Sequence, residues 1–561
     1  EELKRYKTVI PMGSMATKAM FGTNPSLKDV RGGPTRVDGV RVLPTYHPDH
    51  LIGFPELRSV FRSDIAKAFR HHGETLKWED PKVYYSPSVE FVATFFTRAK
   101  AEGQMLTYDL ETDDVDCLTA DIRCVGIGTD REVLILGFVS IDGATRFYSP
   151  EDEEHIRRLL REVFHDGSIL IAGHNAGYFD RLVCESHGLG TPRPLLDTIL
   201  LHKLAESEQR HSLGFIGSVL TDVPAWKADH SGVEAKTDDE LHSYCATDVA
   251  VTARIAPILR KKAQARKQLH LYPIDAKVQD ICAGMRRIGI RVDEGRRFEH
   301  EQEQTLEAAK WFEIISEMEP GFNPNSPTQL GEILFDRWGL PPHEYTASGE
   351  PSTKAAALRV LITNPLLDED QRRFLNAVRF YRRAEKQLST YIRKLAPDYG
   401  VVRDGYVYPD YNAHGTITGR LSSSNPNFQN IPYNLRNIFI PPPGCVFVGA
   451  DYDQLELRFA SALAGAPHYL DAFELKEIDP HNLTADLMFG EAFWKAEGAP
   501  SDKMGKGSGQ FKQLRNLAKT ICFASLYGAA PPKVHEIISR AEDDKGNMLY
   551  AHYSLRQIRA L

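Results

Sequence analysis

The sequence of 561 residues contains few cysteines, and their spacing builds neither a disulfide framework nor a zinc site. The seven cysteines lie at positions 117, 124, 184, 245, 282, 445 and 522, and none forms a CxxC pair. Their odd number and wide spacing predict reduced thiols in a cytosolic compartment. The chain also lacks a run of about 18 apolar residues, so we expect no membrane-spanning segment. Neither a secretory signal pattern nor an internal repeat is present.

An excess of positive charge is lacking as well, because the formal net charge is −8. This total argues weakly against a nucleic-acid-binding protein, but the local distribution of charge is more informative. Residues 371–394 hold eight Arg or Lys and one Glu, with Phe374, Phe380, Tyr381 and Tyr391 between them. Most basic helices are simply solvated. The charge ratio and the interleaved aromatics here favour a surface that follows a phosphate backbone.

The apolar runs divide the chain into three units: a small N-terminal one, an α/β one and a large mixed one. Residues 83–260 alternate strand-like runs with helical stretches, which is typical of an α/β domain built on one sheet. Residues 262–400 are mostly helical and charged, residues 401–460 return to strands and turns, and residues 465–561 are helical again.

Four carboxylates from three separated segments form the first candidate site. Asp109 and Glu111 stand two residues apart in a strand pattern, so both face one side of the strand. Asp180 follows a glycine turn in HNAGYFD, and Tyr244 and Asp248 share a helix face because they are four residues apart. Such an oxygen-rich set suits two Mg²⁺ or Mn²⁺ ions about 4 Å apart, which would activate a water for phosphodiester cleavage.

The ordered set DxE, NxxxFD and YxxxD resembles the proofreading 3′–5′ exonuclease domain of DNA polymerases and its ribonuclease D relatives. LLDTILL at 195–201 and HSLGFIGSVL at 211–220 also look like this family. The resemblance implies a ribonuclease H-like fold. It also implies the metal ligands Asp109, Glu111, Asp180 and Asp248, with Tyr244 orienting the water.

The segment RNLAKTICFASLYG at 515–528 places Arg515, Lys519, Phe523 and Tyr527 four residues apart. On a helix these side chains form one stripe about 18 Å long. One interpretation is a core stripe with snorkelling ends. The other is a surface for a nucleoside triphosphate, with cations for the phosphates and aromatic faces for sugar and base.

The segment VFVGADYDQLELR at 446–458 predicts an apolar strand with Asp451 at its end, followed by a helix that carries Glu456. A carboxylate at the end of a strand is well placed to hold Mg²⁺ beneath a phosphate.

These two segments resemble motifs A and B of the family A, or DNA polymerase I-like, DNA polymerases, in the right order after an exonuclease domain. The resemblance covers about residues 83–561 and implies a right-hand polymerase fold. The further matches are TITGRLSSSNPNFQNIP at 416–432, DPHNLTADLMFG at 479–490 and RRAEKQLSTYI at 382–392.

The resemblance implies a role for each matching side chain. Asp451 and the Tyr452 carbonyl would hold a catalytic metal ion, and Glu456 would be the steric gate against a ribose 2′-hydroxyl. The other nucleotide-binding residues would be Arg515, Lys519 and His481 for the triphosphate, Phe523 for the deoxyribose and Tyr527 for the templating position. Lys519 would also protonate pyrophosphate. Catalysis would be in-line attack of the primer 3′-hydroxyl on the α-phosphate, assisted by two metal ions.

The implied DNA contacts come from two other matching segments. Arg420, Gln429 and Asn430 would contact the minor-groove edge of primer and template, where acceptors are nearly independent of sequence. Arg382 and Lys386 would also contact DNA.

Three features differ from the family pattern or from a motif that the sequence suggests. Asp453 stands where the family usually has Ser. The family's third motif, which bears the second metal-binding Asp, is missing, because Glu542-Asp543-Asp544 lie in a polar loop. We therefore expect a piece of a longer polypeptide in which the rest of the palm follows Leu561. GKGSG at 505–509 lacks the spacing of a phosphate loop and is expected to be a flexible fingers loop.

The N-terminal segments VIPMGSMATKAMFG and VRVLPTYHPDHLI resemble the C-terminal part of uracil-DNA glycosylases. His47-Pro48 matches their histidine motif, with Asp49 in place of the common Ser. Our interpretation is a degenerate accessory module. In an active glycosylase, the histidine would stabilise the departing uracilate of a flipped base.

The expected architecture is α/β plus α+β and multidomain. Its expected parts are a partial uracil-DNA glycosylase-like segment (1–72), the exonuclease domain (83–260), a helical thumb (262–400), the first part of the palm (401–500) and partial fingers (501–561). The truncation is expected in the fingers.

The expected function is template-directed DNA polymerisation with 3′–5′ proofreading, using two Mg²⁺ or Mn²⁺ ions per active site. The expected partners are primer–template DNA, dNTPs and replisome accessory proteins. We expect a cytoplasmic monomer, in the host cytoplasm if the protein is phage-encoded. The alternatives are a 3′–5′ exonuclease whose polymerase part only binds DNA, and a uracil-DNA repair protein.

Overall fold

The computed structural model describes residues 5–22, 25–70, 78–193, 195–227, 235–346, 349–539 and 556–557. The chain forms two compact units. Unit 1 comprises residues 1–290 and 407–432, and unit 2 comprises residues 291–406 and 433–561. This division differs from the predicted domain boundaries, because segment 1–72 shares a unit with the predicted exonuclease domain and residues 407–432 of the predicted palm belong there too.

The strands are numbered along the chain. They are β1 (Thr8–Val9), β2 (Thr35–Val37), β3 (Val40–Val42), β4 (Lys82–Tyr85), β5 (Leu106–Thr112), β6 (Ile122–Gly128), β7 (Glu132–Gly137), β8 (Ile171–Gly173), β9 (Leu195–Asp197), β10 (Ile290–Val292), β11 (Val402–Arg403), β12 (Tyr406–Val407), β13 (Asp410–Asn412), β14 (Ser422–Ser424) and β15 (Phe439–Ile440).

The α-helices are numbered in the same way. Those of unit 1 are α1 (Ser14–Phe21), α2 (Leu27–Val30), α3 (His50–Gly53), α4 (Arg58–Arg70), α5 (Val89–Ala101), α6 (Pro150–His165), α7 (Phe179–Ser186), α8 (Thr198–Ala205), α9 (Leu213–Leu220), α10 (Asp238–Ala265) and α11 (Tyr272–Ile288). Those of unit 2 are α12 (Glu294–Met318), α13 (Pro327–Gly331), α14 (Ala355–Leu361), α15 (Glu369–Gln387), α16 (Leu455–Ala464), α17 (Pro467–Leu475), α18 (Pro480–Phe489), α19 (Glu491–Trp494), α20 (Gly509–Leu526) and α21 (Pro531–Ser539).

A six-stranded mixed sheet in the order β4-β7-β6-β5-β8-β9 forms the centre of unit 1. β5 pairs antiparallel with β6 and parallel with β8, so it lies inside the sheet. Leu106, Ile127 and Leu134 are completely buried in its core, as expected for strands covered on both faces. The predicted alternation of strands and helices within 83–260 therefore forms one sheet.

The long helix α10 packs against β5, β6 and β7. Its start is specified locally, because the Thr237 side chain accepts a hydrogen bond from the Glu240 N–H and three acids occupy the first turn. The face that carries Cys245, Val249 and Ala250 is buried against the sheet. This packing brings the predicted YxxxD motif to the strand that bears the DxE motif.

A buried polar network joins the N-terminal segment to the rest of unit 1. The Arg31 guanidinium donates to both carboxylate oxygens of Asp64 at 2.7 and 2.8 Å, and also donates to the Ser218 hydroxyl. The Asp64 carboxylate also accepts from Thr45 at 2.7 Å. The Lys67 ammonium donates to the carbonyl oxygens of Ser218 and other residues. Because the Arg31 and Asp64 side chains are 0% exposed, the N-terminal segment is an integral part of unit 1.

Breaking this network is expected to destabilise unit 1 strongly. An Arg31→Met variant would leave the Asp64 carboxylate buried without its cation, which typically costs about 3–5 kcal/mol. The free energy of unfolding from urea titration measures the loss. Arg161→Met, which removes a largely exposed pair with Glu154, is the matched control and should lose no more than about 1 kcal/mol. Equal losses in the two variants would contradict the role of the buried pair.

Residues 407–432 form a β-hairpin within unit 1. β13 pairs antiparallel with β14, and Tyr411 is buried in the same core as β5. The Tyr178 hydroxyl and the Asp410 carboxylate lie 3.2 Å apart, and the Arg286 guanidinium lies 3.4 Å from the same carboxylate. These contacts join segments more than one hundred residues apart, so no local pattern predicts them.

The helical part of unit 2 has its own core. α12 packs against α15, and Ile315, Leu330 and Phe374 are buried between the helices of this region. A capping box in which Asp368 and Gln371 exchange hydrogen bonds starts α15. Its apolar face turns inward, as the amphipathic pattern of 371–394 requires.

The strand predicted at residues 446–450 does not form. Val446, Phe447 and Val448 are 79%, 62% and 89% exposed, and the backbone there has no regular structure. A strand is stable only when a neighbouring strand satisfies its backbone groups. None of the strands in the described part of the chain pairs with this segment. Asp451 therefore follows an extended, exposed segment.

Candidate nuclease and polymerase sites

The four predicted carboxylates of unit 1 occupy adjoining elements. Asp109 and Glu111 lie on β5, and ligand atoms of this pair come within 4.8 Å of each other. Asp180 lies in the first turn of α7, where its carboxylate accepts a hydrogen bond of 3.2 Å from the Leu110 N–H of β5. Asp248 is buried on α10, which packs against the same strand.

The carboxylates of this cluster lie close enough to repel one another. Burial raises the pKa of Asp109 well above its usual value, and the charges of Asp248 and Asp180 raise it further. Burial raises the pKa of Glu111 well above its usual value, and repulsion from Asp109 raises it further. Burial also raises the pKa of Asp180 to about 7. Such crowded carboxylates fit divalent cations, which would neutralise them and favour the ionised forms.

Cys245 reaches the same place as the carboxylates of β5. Its sulfur lies within 4.8 Å of the ligand atoms of Asp109 and Glu111. A hydrogen bond with Cys124 and burial hold the pKa of the Cys245 thiol well above its usual value. All seven cysteines are free, which agrees with the predicted reduced thiols.

Two residues of the site, Trp226 and Lys227, were not predicted from the sequence. The Lys227 ammonium donates to the Tyr244 hydroxyl at 2.6 Å and to the Asp248 carboxylate at 2.7 Å. The Trp226 indole N–H donates to the other oxygen of Asp248 at 2.5 Å. A Trp-Lys pair in a connecting segment has no spacing signal that would have linked it to YxxxD.

Asp197, in the LLDTILL segment, supports the turn that leads to Asp180. Its carboxylate accepts hydrogen bonds from the backbone N–H groups of Asn175 and Gly177, at 2.9 and 3.0 Å. The Gln279 amide donates to it at 2.9 Å. Asn175 adopts a left-handed conformation with φ of 61°, so this turn needs fixed support. Asp197 therefore supports the turn before Asp180 and is not one of the predicted metal ligands.

The predicted stripe in unit 2 lies on one helix. Arg515, Lys519 and Phe523 belong to α20, and Tyr527 is its C-cap residue. Arg515 is buried, Lys519 and Tyr527 are exposed, and Phe523 is partly buried. The stripe thus runs from the interior to the surface. Both interpretations of the stripe, a core stripe with snorkelling ends and a nucleotide-binding surface, are compatible with this gradient.

The buried end of the stripe is anchored to α18. The Arg515 guanidinium donates to the Asp479 carboxylate at 2.9 Å and to the Asn482 side-chain oxygen at 3.0 Å. The same Asp479 caps the start of α18 by accepting from the His481 N–H. At least two donors of Arg515 therefore hold protein groups in this structure, and its predicted contact with a triphosphate stays a prediction.

His481 lies close to Phe523 and to the cations of the stripe. Its ring centroid is 5.8 Å from that of Phe523. Burial, with the nearby charges of Lys519 and Arg515, lowers the pKa of His481 to about 4. A neutral imidazole at this position offers a hydrogen-bond donor or acceptor without adding charge.

Motif A meets the exposed end of the stripe. The Tyr527 hydroxyl donates to the Glu456 carboxylate at 2.6 Å, which joins the end of α20 to the first turn of α16. The Asp453 charge acts on His481. Asp453 also forms an ion pair of 3.4 Å with Arg458. Asp451 and Tyr452 are exposed at the start of this region.

The predicted DNA contacts divide between the two units. Arg420, Gln429 and Asn430 are exposed in the hairpin region of unit 1, where the Gln429 amide donates to the Leu421 carbonyl at 2.9 Å. In unit 2, Lys386 is exposed, whereas the Arg382 guanidinium donates to the carbonyl oxygens of Pro324 and Thr353. Arg382 is therefore bound to backbone groups in this structure, and its contact with DNA stays a prediction.

His47 of the N-terminal segment is exposed, and its ring accepts a hydrogen bond of 3.2 Å from the Asp49 N–H.

The acids Glu542, Asp543 and Asp544 lie outside the described residues. Among the helices of the described ranges, none is both long enough and apolar enough to traverse a bilayer.

A sheet with crowded carboxylates on a strand and on two helices is the arrangement that a metal-dependent nuclease domain needs. Comparison with protein families gives the particular families. Residues 88–264 match the family described as 3′–5′ exonuclease, and residues 293–556 match DNA polymerase family A. The chain therefore carries a domain of DNA polymerase family A after a 3′–5′ exonuclease domain, as predicted.

Curated proteins that are similar to this chain include bacterial DNA polymerases I. That of Synechocystis sp. is 30% identical over 75% of this chain and 42% of its own length. That of Chloroflexus aurantiacus is 33% identical over 63% of this chain and 37% of its own length. The chain spans less than half the length of these relatives.

A solved structure shares the fold. It is described as the POL domain of Pol1 from M. smegmatis in complex with DNA primer-template and dNTP. It superimposes with a TM-score of 0.62 at 20% identity, covering 82% of this chain and 74% of the other. The glycosylase-like character of the N-terminal segment and a viral source remain predictions.

Proposed function

We propose that this chain belongs to a template-directed DNA polymerase that extends a primer 3′-hydroxyl with dNTPs and removes mispaired ends with its 3′–5′ exonuclease. The observation that carries the proposal is the convergence of Asp109, Glu111, Asp180 and Asp248 within unit 1, upstream of a family A polymerase domain. The DNA polymerase I relatives, with the solved complex containing primer–template and dNTP, support the same substrates.

In the nuclease, the four carboxylates would hold two Mg²⁺ or Mn²⁺ ions. When bound, these ions supply Lewis-acid activation of the scissile phosphodiester. Tyr244 accepts a hydrogen bond from Lys227, which leaves its own O–H free to donate to an attacking water. The buried position of Glu111 and Asp180 limits bulk water around the reacting phosphate.

In the polymerase, Asp451 and the Tyr452 carbonyl would hold a metal ion beneath the triphosphate, with two ions in the complete site. Lys519 is exposed on the stripe, which supports the proposal that it would meet phosphate oxygens as a point charge. Glu456 is fixed by Tyr527, so its side chain would fill the space that a ribose 2′-hydroxyl needs. A deoxyribose would then fit against Phe523.

The remaining expectations belong to the same proposal. Arg420, Gln429, Asn430, Arg382 and Lys386 would contact primer–template DNA. The protein would act as a cytoplasmic monomer assisted by replisome accessory proteins, in a host cell if it is phage-encoded.

One experiment tests both activities in the full-length protein. A 5′-labelled primer is annealed to a longer template and incubated with Mg²⁺, with and without dNTPs. Products longer than the primer are expected with dNTPs, and shorter products are expected without them. EDTA should stop both reactions. A label that stays at the primer length under every condition would contradict the proposal.

A second candidate is a 3′–5′ exonuclease whose polymerase part only binds DNA. One observation favours it: the carboxylates of the nuclease converge, whereas Asp451 is exposed on a segment without regular structure. Shortening of the primer both with and without dNTPs would support this candidate over the polymerase.

A further inference from the structure

A lysine outside the predicted ligand set contacts the nuclease centre. The Lys227 ammonium lies 2.6 Å from the Tyr244 hydroxyl and 2.7 Å from one oxygen of Asp248. The Lys227 side chain is 25% exposed and that of Asp248 is 6% exposed. The Trp226 indole occupies the other oxygen of Asp248. Both carboxylate oxygens of this predicted metal ligand are therefore held by neighbouring residues.

Lys227 brings a positive charge to the carboxylate cluster. Among the ion pairs of the described residues, that of Lys227 with Asp248 is the one that reaches any of Asp109, Glu111, Asp180 and Asp248. Buried like charges repel one another unless a cation lies between them. In the absence of divalent ions, the lysine offsets part of this repulsion and keeps Asp248 directed at the cluster.

The backbone that leads to Lys227 contacts the N-terminal segment. The Lys67 ammonium donates to the carbonyl oxygens of Ser218 and Thr221, at 2.6 and 2.5 Å, just before the segment that carries Lys227. A Cβ on Gly33 would lie 2.9 Å from the Ala225 backbone nitrogen, so the two backbones are in close contact. The ammonium thus projects from a supported segment.

Resting on the proposed exonuclease function, we propose that Lys227 is a positioning residue of the nuclease. Its ammonium fixes the Tyr244 hydroxyl relative to Asp248 and yields the Asp248 oxygen when a divalent cation binds. The lysine then stays on Tyr244 and keeps that hydroxyl aimed at the attacking water. The Tyr244 hydroxyl and Asp248 are side by side on one turn of α10, so one ammonium can serve both.

Lys227→Met is expected to have opposite effects on Mn²⁺ binding and on kcat. Removing a positive charge that competes for Asp248 should tighten Mn²⁺ binding several-fold. Losing the support of Tyr244 should lower kcat for single-stranded DNA degradation by about 10–100-fold, the usual cost of removing a group that orients a metal site. The KM for DNA should change little, because Lys227 acts through Tyr244 and Asp248. Lys227→Arg retains the charge and should recover a large part of kcat.

The test uses the full-length protein with four variants: Lys227→Met, Lys227→Arg, Asp109→Ala and the matched control Lys236→Met. Lys236 is an exposed lysine nine residues away, so its variant should behave as wild type. Mn²⁺ binding is followed by electron paramagnetic resonance without DNA. The Mn²⁺ bound at the nuclease site is taken as the amount of bound Mn²⁺ that is lost in Asp109→Ala. Steady-state degradation of a labelled oligonucleotide gives kcat and KM.

Tighter Mn²⁺ binding with lower kcat in Lys227→Met, and recovery in Lys227→Arg, would support the proposal. Unchanged Mn²⁺ binding and kcat would overturn it. A parallel loss of Mn²⁺ binding, kcat and melting temperature would also overturn it, because Lys227 would then be a purely structural counter-ion. Failure of the wild-type protein to degrade DNA would instead contradict the proposed exonuclease function.

Discussion

In the full-length protein, Asp180→Ala is expected to slow 3′-end degradation of single-stranded DNA by about a thousandfold or more. The carboxylate joins β5 through the Leu110 N–H and belongs to the crowded cluster. Losing it should empty at least one of two metal positions. Metal ions supply several kcal/mol of transition-state stabilisation, and each ~1.4 kcal/mol is worth tenfold in rate. Degradation of a 5′-labelled oligonucleotide in Mg²⁺ measures the effect.

Asp114→Ala is the matched control for this prediction. Asp114 is an exposed acid just after β5, and its carboxylate accepts from the Val115 N–H. Its loss should change the degradation rate by less than about threefold, in line with the small effects of exposed charges. Primer extension by Asp180→Ala should stay within the same limits, because Asp180 belongs to unit 1 and the predicted dNTP residues belong to unit 2. A degradation rate close to wild type in Asp180→Ala would remove it from the ligand set.

Local sequence patterns were sufficient for two of the elements that carry the nuclease carboxylates. A two-residue spacing on an apolar run predicts both β5 and the placement of Asp109 beside Glu111. The four-residue spacing of Tyr244 and Asp248 predicts a helix that carries both, whereas the helix of Asp180 was predicted only as a turn. These features depend on periodicities of two and of 3.6 residues, which are fixed by backbone geometry. The helix that carries the stripe from Arg515 to Tyr527 was predicted for the same reason.

Contacts between distant segments could not be predicted in this way. Lys227 reaches Tyr244 across a connecting segment, and Arg31 reaches Ser218 from 187 residues away. The absence of a strand at 446–450 has the same origin, because strand formation depends on partners elsewhere in the chain and not on apolar character alone. Arg515 matches its motif by position, yet its ion pair with Asp479 depends on how α18 packs against α20.

Asp451→Ala in the full-length protein is expected to lower primer extension by about a thousandfold or more while leaving degradation near the wild-type rate. Asp451 precedes α16, and the Glu456 carboxylate of that helix is joined to Tyr527 at the exposed end of the stripe. Asp451 would hold a metal ion that neutralises charge on the triphosphate. Its loss removes charge neutralisation at the α-phosphate, which is worth several kcal/mol. Single-turnover incorporation of one dNTP measures the rate.

Asp471→Ala separates a metal-binding role from a general loss of acidic charge. Asp471 is an exposed acid on α17, so its variant should extend primers at about the wild-type rate. The two activities also check each other within one molecule. If Asp451→Ala still extended primers while Asp180→Ala abolished degradation, the carboxylate of motif A would have no catalytic role, and the metal beneath the triphosphate would need another ligand. If both substitutions abolished only degradation, the polymerase part would serve to hold DNA for the nuclease.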